Sequence, residues 1–588
     1  MTNDLGTERI LWDLSHLYEA PYAPEIEADL EEVKNTSRIL EEQYKGKVAA
    51  LGPDDLLKLV RDMEEVNEKF SRVFSYAQLD FSIDCTSPQK GAFFQKIREE
   101  GVEIQRHLVF FQLEWQKTPD EVANQLLSDR ALSHYRHYLA YIRRMAPHTL
   151  SEIEEKLLID ISPVGRSSWI TLFEKVLATL RFGEEKRTQE EILSDLYSPE
   201  RATRIKAHRD FTQGLKTQEH VLTHCFNTVL MDKAIEDRLR KYPSWISSMN
   251  LYNELRDSTV DTLIETVRQF YCVVADYYKK KARILGVDKL YDYDRYAPIP
   301  GGSDEMITWD ECKEIVLAAY YEFSEELGRI GQRFFDEKWI HASVLPGKTS
   351  GAFAHPTVPS VHPYLLVNYT GRIRDVETVA HELGHGIHQY LSRKVGYFNS
   401  HTPLPLAETA SVFGEMLVFK KLLKRIKEPK ARQALVCEKV ESIFATTFRQ
   451  VAMNQFEAAI HESRRQKGEL SPEEFGEIWL NTQKEMFQDS LELTPEYGQW
   501  WSYISHFIHT PGYVYAYAFG ELLVLALYAM YENGSDGEFV KKYIALLSSG
   551  GKEDPYTLLK HFGIDLDSPD FWKQGLKKIQ EMVENIEV

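Results

Sequence analysis

The chain is 588 residues long, 43% hydrophobic and 12% aromatic, with only 31 Gly and 23 Pro, a composition that excludes disordered and fibrous classes. Its 90 acidic against 70 basic residues leave a net charge of −20, which argues against nucleic acid and anionic membranes as partners because both need clustered cations. The five cysteines, Cys85, Cys225, Cys272, Cys312 and Cys437, are dispersed without a CxxC, so reduced thiols and a cytoplasmic location are expected rather than a disulfide framework.

Residues Met1–Leu11 are polar and lack the apolar stretch of a signal peptide. Apolar residues at three-to-four spacing predict helices over Pro24–Lys45, Asp54–Gln78 and Asp120–Tyr141. Gly183 and Pro199 punctuate this pattern and predict an N-terminal helical domain over 1–190, followed by a second domain over 191–588. Two segments then break the helical periodicity. Leu285–Asp304 runs into Pro298, Pro300, Gly301 and Gly302, and Pro346–Gly371 combines seven Pro or Gly residues with the strand-like Tyr364–Tyr369. The second predicts a small twisted β region inside a mainly α protein.

Directly after that region stands His381-Glu382-Leu383-Gly384-His385. Residues four apart share a helix face, so both imidazoles can point at one metal ion, with Glu382 beside it as the base for its water. Val376, Val379, Leu383, Ile387 and Tyr390 form the apolar stripe of that helix. Asp375 is its expected N-cap, Arg393 and Lys394 fill its last turn, and Gly396 is a natural terminator. Gly384 and Gly386 each cost a helix about 1 kcal/mol relative to Ala, which predicts that another backbone or a substrate approaches this face closely.

A catalytic zinc takes three protein ligands and keeps one position open. Leu391 occupies the place where some zinc helices carry a third histidine, and a carboxylate from a later helix is the alternative. Glu408, among the small residues of Leu406–Ser411, is the candidate; Glu415, two turns on, is placed to orient a ligand histidine. Further along, Trp500–Phe519 is strongly aromatic and holds His506, Tyr513, Tyr515 and Tyr517. Thr510-Pro511 there predicts a helix start that would put Tyr513 and Tyr517 on one face. Imidazole and phenol groups are suitable donors to an oxyanion, and an aromatic core is the alternative reading. The apolar run Leu522–Tyr531 is too short for a bilayer and predicts a buried helix.

These blocks resemble the oligoendopeptidase F family, within the thimet oligopeptidase-like zinc metallopeptidases. The resemblance rests on Thr378–His388, on Leu406–Ser411 with Glu415, and on His506-Phe507 followed by Tyr513–Leu522, with weaker echoes in Trp12-Asp13-Leu14 and Gly351-Ala352-Phe353. It implies a mainly α, two-lobed helical shell around a deep substrate channel, holding one zinc ion per chain on His381, His385 and Glu408. The implied activity is endoproteolysis of short, unstructured peptides in the cytosol. His506 and Tyr513 would stabilise the oxyanion, Tyr517 would contact substrate, and Gly351, Ala352 and Phe353 would pair with substrate backbone. The chain departs from the family pattern at Gly512, where an aromatic residue is usual, and at Ala354, where a larger one is. The competing readings are an exopeptidase on the same core and a helical scaffold that carries the pentapeptide by accident.

Overall fold

The N-terminal helices Pro24–Tyr44, Pro53–Ser82 and Pro88–Lys117 each open with a proline, whose missing N–H is harmless in the first turn. Their apolar faces close on a shared core that includes Val33, Leu40, Leu59, Ile104, Phe111 and Trp115. The computed structural model describes residues 5–161, 164–302, 305–534 and 537–588. Residues 1–4 of the polar N-terminal stretch and 303–304 of the first predicted break lie outside the described residues.

Helix dominates, as the composition and periodicity predict, but one predicted helix is divided. Asp120–Tyr141 is two helices, Asp120–Ser128 and Arg136–Arg144. Asp129 leaves helical geometry at ψ 143°, and its carboxylate accepts the Ala131 N–H at 2.8 Å. That local bond competes with continuing the helix.

The chain forms two compact units. The first comprises Met1–Ala146, Asp304–Arg425 and Met530–Ile564; the second comprises Pro147–Ser303, Ile426–Ala529 and Asp565–Val588. The predicted N-terminal stretch 1–190 contributes to both units, since the sequence crosses from one to the other after Ala146.

The first unit contains the expected β region: β1 (Ile340–His341), β2 (Phe353–His355) and β3 (Tyr364–Leu366), in the order β1-β3-β2. β1 is parallel to β3, and β2 is antiparallel to it with Phe353 opposite Leu366. β3 is buried throughout, whereas β2 is half-buried and pairs on one side only, leaving an edge.

The second unit is built around aromatic residues, among them Phe226, Phe475, Trp479, Trp501 and Phe507. Trp501 stacks on Phe475 with centroids 4.4 Å apart, so part of the aromatic segment is core. Leu522–Leu527 are fully buried within the helix Tyr515–Asn533, as the apolar run predicts. Among the described residues no helix is long and apolar enough to cross a membrane. All five cysteines are free; Cys225, Cys312 and Cys437 are buried, and Cys85 and Cys272 exposed.

Candidate active site

The pentapeptide lies in the middle of the helix Ile373–Ser392, in the first unit. Val376, Val379, Leu383, Ile387 and Leu391 bury one face of it, and Tyr390 is half-buried. Asp375 is not the N-cap. Arg372 takes that position, and Asp375, in the first turn, reaches back to accept from Arg372 N (3.1 Å), Thr370 N (2.9 Å) and Thr370 Oγ1 (2.6 Å). A carboxylate there satisfies exposed N–H groups and complements the positive end of the helix dipole, a task that the third helical position serves as well as the cap. The helix ends in a tight turn, Arg393–Val395, stopped by Gly396 at φ +83°.

A second helix, Leu404–Arg425, packs directly against the first, and glycine sets the spacing. A Cβ on Gly384 would overlap the Ala410 carbonyl and lie 2.7 Å from Ser411 Cα. A Cβ on Gly414 would strike the Tyr320 hydroxyl and come within 2.9 Å of the Ala380 carbonyl oxygen. The close approach that Gly384 predicts is thus the backbone of the helix carrying Glu408. Gly386 faces Phe334 and Leu365 instead, and a Cβ there would come within 2.7 Å of the Phe334 ring.

This packing gathers the three candidate ligands. The donor atoms of His381, His385 and Glu408 all lie within 4.8 Å of one another, a group that could hold a metal ion. The Nε2 atoms of His381 and His385 are each 3.5 Å from Glu408 Oε2. His381 Nδ1 donates to Glu415 Oε1 at 2.5 Å, which fixes the tautomer and leaves Nε2 free to act as a ligand. Two imidazole nitrogens and one carboxylate oxygen are the donor set of a three-ligand catalytic site with an open position.

The electrostatics follow from burial and from three neighbouring carboxylates. Burial, reinforced by Glu408 and Glu415 and opposed by His381, pushes the Glu382 carboxyl up to about 7. A carboxyl there can both take and release a proton near neutral pH. Burial pushes His385 down to about 4 against the pull of Glu408. Burial also disfavours charge on His381, but the Glu415 hydrogen bond and the surrounding carboxylates prevail and raise it to about 9.

Three further residues brace this arrangement: Ser411 lies within the Leu406–Ser411 block, whereas no motif in the sequence marks Tyr320 or Tyr543. Ser411 Oγ donates to Glu408 Oε2 at 2.7 Å. Tyr320 Oη donates to the Ala380 carbonyl at 2.9 Å, one residue before His381. Tyr543 Oη donates to the Thr409 carbonyl at 2.9 Å, one residue after Glu408. Each tyrosine reaches in from a different helix, so its role has no local signal. The half-buried edge strand β2 contains Phe353, and Gly351, at φ +78°, precedes it in open space with Ala352 between. Gln389 of the histidine helix donates to the Ala354 carbonyl at 3.3 Å, tying that strand to the helix.

The second unit brings together His506, Tyr513 and Tyr517. The helix there starts at Tyr515, not at Pro511. Gly512 takes φ +82°, which interrupts the start that Thr510-Pro511 predicts, so Tyr513 lies in the turn rather than on the helix. The rings still meet: Tyr513 and Tyr517 centroids are 5.1 Å apart, and His506 Nε2 is 3.3 Å from Tyr517 Oη. Burial, with help from Arg449 and His509, holds the His506 imidazole below its ordinary pKa. Tyr515 is fully buried, and its hydroxyl accepts from Asn253 Nδ2 at 2.9 Å, so it belongs to the core.

Comparison with known proteins places these features in context. The sequence profile of "Peptidase family M3" matches residues 195–578, and that of "Oligopeptidase F" matches residues 114–182. The chain is 27% identical to Oligopeptidase PepF of Bacillus subtilis over 605 residues, covering 98% of this chain and 86% of that protein. It is 27% identical to an Oligoendopeptidase F homolog of Borreliella burgdorferi over 567 residues, covering 94% of each. The crystal structure of oligoendopeptidase-F from Enterococcus faecium shares the fold, with a TM-score of 0.70, 21% identity, and coverage of 96% of this chain and 98% of that one.

Proposed function

The chain belongs to peptidase family M3 and is a metalloendopeptidase, and from that premise we propose that it is a zinc-dependent oligoendopeptidase of the cytosol. Its substrates are short peptides cut at internal bonds. The observation that carries this reading is the convergence of His381 Nε2 and His385 Nε2 on Glu408 Oε2, each at 3.5 Å, with Glu382 between the histidines on the same helix. The donor set fits one zinc ion per chain.

The chemistry that zinc would supply when bound is Lewis-acid polarisation of the scissile carbonyl and a lowered pKa for the attacking water. Glu382, with its carboxyl raised to about 7, accepts a proton from that water and delivers it to the leaving amine. Glu415 holds His381 in the tautomer that offers Nε2, and Ser411 orients the Glu408 carboxylate. His506 and Tyr513 donate to the oxyanion, and Tyr517 contacts substrate. The free edge of β2, with Gly351, Ala352 and Phe353, pairs with the peptide backbone as an added strand would. Five free thiols support a reducing, cytosolic setting.

Peptides acetylated at the N-terminus and amidated at the C-terminus test the endopeptidase reading. Internal cleavage of such blocked peptides, abolished by a chelator and restored by zinc, is the expected result. Trimming of unblocked peptides with blocked ones left intact would move the protein to an exopeptidase.

A further inference from the structure

Beneath the turn that carries Tyr513 lies a buried carboxyl group. Glu457, on the helix Phe448–Lys467, is fully buried. Its Oε1 accepts the Gly512 N–H at 2.9 Å, while Oε2 is buried without a hydrogen-bond partner. Among the described residues no cation lies within ion-pair distance of this carboxyl, though Lys233 acts on it electrostatically from farther away. Trp245 packs against the same glycine, 3.5 Å from where a Cβ would stand, and stacks on His461 with centroids 4.8 Å apart. Glu457 and His461 are one helical turn apart, so one face of a single helix supports the turn from below.

A buried carboxyl with one oxygen left without a hydrogen-bond partner is costly. What the carboxyl offers is an acceptor for one backbone N–H. That N–H belongs to a residue at φ +82°, a conformation that only glycine adopts without strain and that sets the direction in which the chain enters Tyr513. Burial also pushes Glu457 up to about 8, against the pull of the Gly512 N–H and of Lys233, which favours the protonated carboxyl at neutral pH.

We propose that Glu457 is a positioning residue for Tyr513: its hydrogen bond to Gly512 fixes the turn and thereby the direction of the Tyr513 hydroxyl. This rests on the reading of Tyr513 as an oxyanion donor. It gives the reaction a contributor that touches neither substrate nor metal.

Two readouts on the full-length, zinc-loaded protein test the proposal. Hydrogen–deuterium exchange over Gly512–Tyr513 should accelerate about tenfold or more in Glu457→Leu but stay near wild type in Glu457→Gln, which keeps an acceptor. In parallel, kcat should fall about tenfold or more in Glu457→Leu with KM held, and Glu457→Gln should restore most of it. Combined with Tyr513→Phe, Glu457→Leu should cause no further loss, because both changes remove the same interaction. Unchanged exchange in Glu457→Leu, or losses that simply add, would overturn the proposal. Full turnover by Tyr513→Phe alone would overturn the functional reading of that tyrosine, and the exchange result would still decide whether Glu457 tethers the turn. Should Glu457→Leu fail to fold, Glu457→Met carries the same expectations.

Discussion

In the first unit the metal-binding candidates stand on two helices locked backbone to backbone; in the second the proposed oxyanion donors stand on and beside a turn. The helix pair gains its precision from glycine. Gly384 and Gly414 remove the side chains that would hold the helices apart, so the ligand positions are set by main-chain contact. Glu415, Ser411, Tyr320 and Tyr543 then hold individual side chains and carbonyls at or next to the ligands. The turn is held in a different way. Tyr513 is placed by a left-handed glycine, and that glycine is tethered by one buried carboxyl. Metal ligands and oxyanion donors both act from preorganised positions, and the two units secure those positions by different means.

Substitutions can break or sharpen this contrast. The largest effect is expected from His385→Ala, which removes one ligand of three. Zinc content measured by elemental analysis should fall from one per chain to near zero, and peptide turnover should fall to background. Retained zinc would exclude His385 as a ligand. Next comes Glu415→Gln, which replaces the carboxylate on His381 Nδ1 with a weaker, neutral partner. It should lower zinc affinity about 10- to 100-fold in competition with a chelator while the fold persists. Gly384→Ala pushes a methyl group into the Ala410 carbonyl, and overpacking of this kind costs about 1–3 kcal/mol, visible as a lowered Tm and a perturbed zinc site. An unchanged Tm would mean that the helices are not held at backbone contact.

The effect at the turn is read as a slope with pH. Glu457 holds its proton up to about 8 in the folded chain, against an ordinary value of 4.5. The native state therefore binds more protons than the unfolded state across that window, and the contribution of Glu457 to stability declines as pH rises from 4.5 to about 8. Glu457→Gln should flatten the fall of Tm with pH over this range. The same slope in variant and wild type would show that the group is already ionised.

Much of the site was legible because its chemistry is local. Histidines four apart, a buried stripe at helical period and paired helix glycines are patterns within a few residues. The close approach at Gly384 could be anticipated from the cost of glycine in a helix, though not the identity of the neighbour. What escaped depends on distant parts of the chain. The hydrogen bond from Tyr320 to Ala380 spans 60 residues and that from Tyr543 to Thr409 spans 134, and neither tyrosine carries any mark of its role. Boundaries went astray where two local preferences compete. Asp375 suits either the cap or the first turn, and Thr510-Pro511 signals a helix start that Gly512 postpones to Tyr515.

The most direct test of the central claim is cleavage of a mixed peptide set, followed by mass spectrometry, with zinc content determined in parallel for wild type and Glu382→Gln. General-base loss should reduce turnover about 10²- to 10⁴-fold. The wild type should cut internally and Glu382→Gln almost not at all, with one zinc ion per chain in both. Cleavage by zinc-loaded Glu382→Gln at the wild-type rate would contradict that claim.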